Sequence, residues 1–482
     1  MKRFASILFI IGVLLLALSL SACGRMNSKS LRFILLDDGN YAVASSAIKN
    51  LKSIVIPKTY NGADVVAIAD GAFKNQTSLK RVKIPDSVTS IGTDAFSYCT
   101  SLTSIDIPNS VTNIGSGTFS YCKSLTSITI PDSVTSIGFG AFSYCTSLTS
   151  ITIPDFVTSI NGAFYHCASL TNITIPDSVT SIGSGAFSYC RSLESITIPD
   201  SVTVIGNEAF SGCSSLTSIT MPDCVTKIGY RAFQYCSALE NITIPDLVEC
   251  IDYNAFEGCR SLKNITIPDS VTSIADCTFS GCSSLINVII PDSVTDIGNL
   301  AFTGCSSLAS LTIPDSVVNV GSSAFSGCNS ALYTKYKSGQ YVGDQGNPYA
   351  VLIGVTRKNI TDFELHEDTK IIAAGVFDGC DRLTSITIPG SVVSIGAGAF
   401  NACTSLENII ILDSLRSIGA SAFENCLSLK NITIPASVTS IGSRAFAYCE
   451  SLTKINFEGT VAQWNEIVEY NSITVICSDG IV

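Results

Sequence analysis

The chain has 482 residues, of which 46% are hydrophobic and only 14% charged, against roughly 25% charged in an ordinary globular protein. A net charge of −11 and a pI near 4.7 argue against nucleic acid, which needs a basic face, and against binding to anionic lipid headgroups. Two histidines and one tryptophan leave little material for metal sites or acid–base chemistry, so no cofactor is expected.

The first 22 residues stand apart. Lys2 and Arg3 give a positive start, and Phe4 to Leu18 is an apolar run of fifteen residues, too short for a comfortable membrane span. Leu20-Ser21-Ala22-Cys23 follows. This tetrapeptide resembles the bacterial lipobox, in which small residues fit the peptidase and a thiol receives diacylglycerol. The resemblance implies a signal peptide over 1–22, a lipidated and N-acylated Cys23, and anchoring at the bacterial cell surface in an outer leaflet. Several acyl chains give stable anchoring where one gives only marginal binding. The plainer alternative is an ordinary signal peptide with a coincidental cysteine. Residues 23–30, ending Gly-Arg-Met-Asn-Ser-Lys-Ser, read as a polar tether.

Residues 31–330 read as an N-terminal cap and a repeat array. A phenylalanine recurs sixteen times from Phe73 to Phe446, mostly at 23-residue intervals, and fifteen of these are followed three places later by cysteine. A fixed period of this kind marks a solenoid. Within one coil, Ser127-Ile128-Thr129-Ile130 alternates polar and apolar as a half-buried strand does. Pro131 lacks a donor and ends it. Pro131-Asp132-Ser133 reads as a turn, Val134 to Ile137 as a second short extended piece, and Gly140 to Cys145 as a turn or 3-10 piece on the outer side. Leu125, Ile128, Ile130, Val134, Ile137, Ala141, Phe142 and Cys145 are expected to point inward. The fold class is thus a β-rich solenoid with a parallel strand per coil, and sixteen coils at ~4.8 Å span roughly 75–80 Å.

Residues 331–359 interrupt the period. They hold Tyr333, Tyr336, Tyr341 and Tyr349 among glycines, and read as a hairpin-like excursion from the stack. A second array covers 360–458. Residues 459–482, with Trp464 and the off-phase Cys477, read as the C-terminal cap that a solenoid needs.

The repeat Leu-x-x-Ile-x-Ile-Pro-x-Ser-Val-x-x-Ile-Gly-x-x-Ala-Phe-x-x-Cys resembles the BspA-like leucine-rich repeats of bacterial surface proteins. The resemblance runs over about 50–482. It implies a curved leucine-rich-repeat solenoid, a surface location, and roles in adhesion or host-protein binding.

Several columns invite a chemical reading. The in-phase cysteines read as a reduced, buried ladder, because stacked side chains run parallel; a few disulfides are the alternative. The post-proline aspartates, such as Asp132, Asp200 and Asp292, read either as solvated turn residues accepting turn hydrogen bonds or as a ladder bridged by divalent cations. Thr129, Thr152, Thr174, Thr197, Thr220, Thr243 and Thr266 occupy the outward position of seven consecutive strands. They form the candidate binding face, for host or bacterial surface proteins and for glycans as a further class; their β-propensity alone would also place them there. Lys80, Arg81, Lys83 and Asp106 interrupt that pattern near its start. Glu249, Asp252 and Glu257 form the single out-of-phase acidic group from which glycoside chemistry could be built. No catalytic triad order, phosphate loop or zinc spacing stands at a credible place. The expectation is a non-enzymatic, lipid-anchored surface protein, with a carbohydrate-binding or carbohydrate-active solenoid, or a structural spacer, as alternatives.

Overall fold

The computed structural model describes residues 31–47, 50–467 and 474–482. Residues 1–30, where a signal peptide, the lipidated Cys23 and a tether are expected, lie outside the described residues. The chain winds as a β-solenoid, and each coil lays its polar–apolar alternation directly onto a sheet. In Ser150–Thr152 the Ile is buried and its two neighbours are exposed. This strand pairs in parallel with the next coil, Ser150 opposite Asn172 and Thr152 opposite Thr174. The one-coil register keeps like residues stacked, so every isoleucine stays on the core side.

After the proline the chain turns, with Val134 N donating to Pro131 O at 3.0 Å. The turn aspartates are exposed, but the inter-coil contact belongs to the serine after them. Ser133 Oγ donates to Val111 O at 2.7 Å, and Ser201 and Ser293 repeat the bond to Val179 and Val271. A hydroxyl can donate to a carbonyl where an ionised carboxylate cannot, so the expected turn bonds to aspartate give way to serine bonds between coils.

The second extended piece is a strand in its own right, giving most coils two parallel strands. Ser159–Ile160 opens a five-stranded sheet that runs through Ser181–Ile182, Val204–Ile205 and Lys227–Ile228 to Cys250–Ile251. The following glycine lets adjacent coils touch: a Cβ on Gly138 would stand 2.4 Å from Ser116 N. The third side is a stack of hydrogen-bonded turns, with Phe119 N donating to Ala141 O and Phe142 N to Ala163 O, both at 2.8 Å. Backbone bonds between coils therefore run along all three sides.

The eight residues expected inside the coil around Phe142 are all buried. Along the axis the phenylalanines stack, as in Phe96–Phe119 at 5.6 Å and Phe119–Phe142 at 5.4 Å between ring centroids.

Both ends are covered. A hairpin of Leu31–Leu35 and Tyr41–Ser46 closes the start, where Phe33 stacks on Tyr60 at 4.1 Å. At the other end the helix Val461–Ile467 buries Trp464 against Phe457 at 5.3 Å, and the strand Thr474–Cys477 extends the sheet. Among the described residues no helix is long and apolar enough to cross a membrane.

The insertion differs from an excursion. Tyr333–Tyr336 and Gly339–Val342 form an antiparallel hairpin, and Val351–Val355 adds a third strand. That third strand then pairs in parallel with Ile371–Ile372 of the next coil. Tyr341, Val351 and Leu352 are fully buried, so apolar burial draws the segment back into the core. Ala374 N still donates to Val320 O at 2.9 Å, continuing the stack across the insertion.

Candidate functional site: the strand face

The seven threonines are brought together on one face. Thr129, Thr152, Thr174, Thr197, Thr220, Thr243 and Thr266 are all exposed, as are Ser127, Ser150, Asn172, Ser195, Ser218, Asn241 and Asn264 beside them. Buried isoleucines between these positions fix both rows of side chains outward. Hydroxyls and amides at ~4.8 Å spacing along the stack offer donors and acceptors without charge.

The same column extends in both directions. Towards the start, register places Val55 beside Lys83, Lys83 beside Asp106 and Asp106 beside Thr129. The basic spot and Asp106 thus belong to this face. Beyond Thr266 the outward position passes to Ile289, which is 60% exposed; after the insertion it passes to Glu364, Thr387 and Ile410, the last 56% exposed. Two clefts flank the insertion on this side, of about 1050 Å³ against Thr266 and Ile289 and about 370 Å³ against Glu364 and Ile410.

The acidic group does not assemble. Glu257 accepts from Gln234 Nε2 and Asn254 Nδ2, both at 2.6 Å, and from Tyr235 OH at 3.3 Å. Asp252 instead faces Lys227 Nζ at 3.7 Å and accepts from its neighbour Tyr253 N. Glu249 is exposed before the second strand. Each carboxylate has its own structural setting, and none lines either cleft. Among the described residues no group of three or more histidine, cysteine or acidic side chains is placed to hold a metal.

All nineteen described cysteines are free thiols. The in-phase ones are buried, and all but Cys380 donate to a phenylalanine carbonyl of the preceding coil, as Cys145 does to Phe119 O and Cys190 to Phe164 O, both at 3.2 Å. Burial pushes the thiols of Cys99, Cys145 and Cys190 up to about 12. The off-phase cysteines replace other repeat residues. Cys224 takes the turn-serine place and donates to Val202 O at 3.1 Å, Cys277 takes a left-handed turn position with φ 58°, and Cys250 is exposed on the second sheet.

One feature escaped the sequence reading. Tyr98, Tyr121, Tyr144, His166 and Tyr189 form a stacked aromatic row beside the phenylalanine column, with Tyr98–Tyr121 and Tyr121–Tyr144 both at 4.3 Å. All five have positive φ between 59° and 61°, a conformation that costs a non-glycine residue roughly 1–2 kcal/mol. Ring stacking offsets this, and later coils use glycine there, such as Gly258 and Gly281. The signal was present as the repeated Phe-Ser-Tyr-Cys.

Two parallel strands in most coils, inward leucine and isoleucine, and a 23-residue period define a leucine-rich-repeat solenoid. The family described as BspA type leucine rich repeat region matches residues 39–163, 161–286, 250–343 and 356–475, and the chain belongs to that family. A leucine-rich-repeat protein from Bacteroides ovatus is 27% identical over 89% of this chain and 98% of its own, with a TM-score of 0.52. A leucine rich cell surface protein from Faecalibacterium prausnitzii is 28% identical over 94% of this chain and 99% of its own, with a TM-score of 0.28. The leucine-rich-repeat protein of T. pallidum is 32% identical over 40% of this chain and 91% of its own, with a TM-score of 0.38. A comparison with curated protein sequences finds no match.

Proposed function

We propose that the chain is a lipid-anchored bacterial cell-surface protein that binds host or neighbouring-cell macromolecules through the strand face, without catalysis. The observation that carries this reading is the uncharged array of seven exposed threonines flanked by serine and asparagine, held in register by the isoleucines beneath. Such a surface recognises through many small hydrogen bonds and suits a large partner. The tetrapeptide ending at Cys23 supplies the anchor. The separate settings of Glu249, Asp252 and Glu257 favour binding over glycoside hydrolysis, which needs two carboxylates facing across one bond.

The test is a pull-down of host proteins, run beside a glycan screen, using the full chain and a Thr197→Lys/Thr220→Lys variant. Capture of a protein by the parent and its loss in the variant is the expected result. Capture of oligosaccharides alone would transfer the function to the carbohydrate-binding alternative. No capture by the parent would favour a structural spacer.

A further inference from the structure

The strand face changes where the insertion leaves it. The cleft of about 1050 Å³ there is as large as the bigger small-ligand pockets. Thr266, Ile289 and Thr312 from three successive coils form its floor, and the insertion loop at Asp344 and Gln345 forms its wall. Part of the floor is Ala309 to Thr312, within the segment Ala309–Ile313. Among the described residues, every other coil between Ser53 and Phe457 makes at least one strand pairing on this face, and Ala309–Ile313 makes none. It pairs neither with Asn287–Ile289 before it nor with Asp362–Glu364 after it. Leu311 is buried, 3% exposed, while Ser310 and Thr312 face outward, so the segment keeps the inward–outward alternation of a strand. Unpaired backbone donors and acceptors in that conformation are a template for another strand.

Charge narrows the occupant. Among the described residues Asp344 is the only charged one lining the cleft, and no aromatic ring lines it to carry a sugar ring; the exposed Asp269 and Asp292 stand just beyond the ends of the floor strands. We propose that this cleft receives an extended segment of a partner protein bearing a basic side chain, paired as an added strand with Ala309–Ile313. The proposal rests on the strand face being the binding surface, and it names the class of ligand and its seat. Five paired residues span ~16 Å, and Ile289 offers an apolar contact to alternate side chains of the guest.

The probe is a synthetic library of nine-residue peptides, screened against the full chain in detergent, beside the same library N-methylated at alternate positions to remove backbone donors. Saturable binding of lysine- or arginine-containing peptides is expected, weakened at least tenfold by N-methylation and by Ser310→Trp, which fills the cleft from an exposed position. Thr203→Lys, at an exposed position beside the second sheet and off this face, should leave peptide binding unchanged. No saturable peptide binding, equal binding of the methylated library, or equal binding by Ser310→Trp overturns the proposal. Oligosaccharide binding that Ser310→Trp abolishes also overturns it. If host-protein capture is lost in Thr197→Lys/Thr220→Lys but survives in Ser310→Trp, this inference fails while the strand-face reading stands.

Discussion

A buried thiol that donates to a backbone carbonyl is held neutral, and that fixes the meaning of the cysteine column. Cys213 donates to Phe187 O at 3.1 Å and is fully buried. Cys213→Ala removes this bond and leaves a small void, at a cost of about 1–2 kcal/mol, measurable by denaturant titration. The pH dependence follows from the raised thiols. Below the ordinary value of 9.0 both folded and unfolded chains keep their protons, and stability is intact. Between about 9 and about 12 the unfolded chain releases protons that folded Cys99, Cys145, Cys190 and Cys403 retain. Stability then falls on the order of 1 kcal/mol per pH unit for each such thiol. Thermal melts should be flat up to pH 9 and drop steeply above it; a flat profile to pH 11 would contradict a buried ladder. At this scale the sequence was informative because the period fixes direction: Phe142 and Cys145 had to face inward once Ile128 and Ile130 did. It could not say that Ser133 rather than Asp132 bonds the previous coil, since both are common turn residues and only the carbonyl of Val111 decides between them.

The coil is the element from which the fold is built, and its two strands are unequally legible. Ser150–Thr152 alternates clearly, whereas a two-residue strand such as Ser181–Ile182 has no period to read. It becomes a strand only because its neighbours stack on it. The insertion shows the same limit. Its glycines and tyrosines signalled a hairpin, but the return of Val351–Val355 to the sheet depends on where Ile371 lies in space. This makes a prediction. Leu352→Ala should destabilise the protein by about 2–5 kcal/mol, as in a packed core. A detached hairpin would lose far less, and equilibrium unfolding separates the two cases. Tyr333 offers a gentler probe: its hydroxyl donates to Phe325 O at 2.5 Å and accepts from Cys328 N at 2.9 Å, closing the last coil before the insertion. Tyr333→Phe should cost about 0.5–1.5 kcal/mol, because both hydroxyl bonds are lost while the direct bond from Cys328 N to Phe325 O at 3.3 Å remains.

Across the whole molecule, the repeat dictates architecture and departures from it mark places of interest. The threonine array is the repeat itself, and its location on one exposed face was readable from alternation alone. The cleft beside the insertion was not, because it requires Ile289 and Asp344 to meet across 55 residues of sequence. The anchoring reading rests on Leu20-Ser21-Ala22-Cys23 and is checked separately: Cys23→Ala should release the protein from membranes on fractionation. The central claim is that the strand face, and not another side of the solenoid, makes the contact with other cells. Adhesion of cells displaying the full chain tests it most directly, comparing Thr197→Lys/Thr220→Lys with Thr203→Lys/Thr226→Lys, a pair of exposed positions beside the second sheet. Adhesion lost only in the first pair is the predicted result; adhesion that survives the first pair and fails in the second would contradict the account.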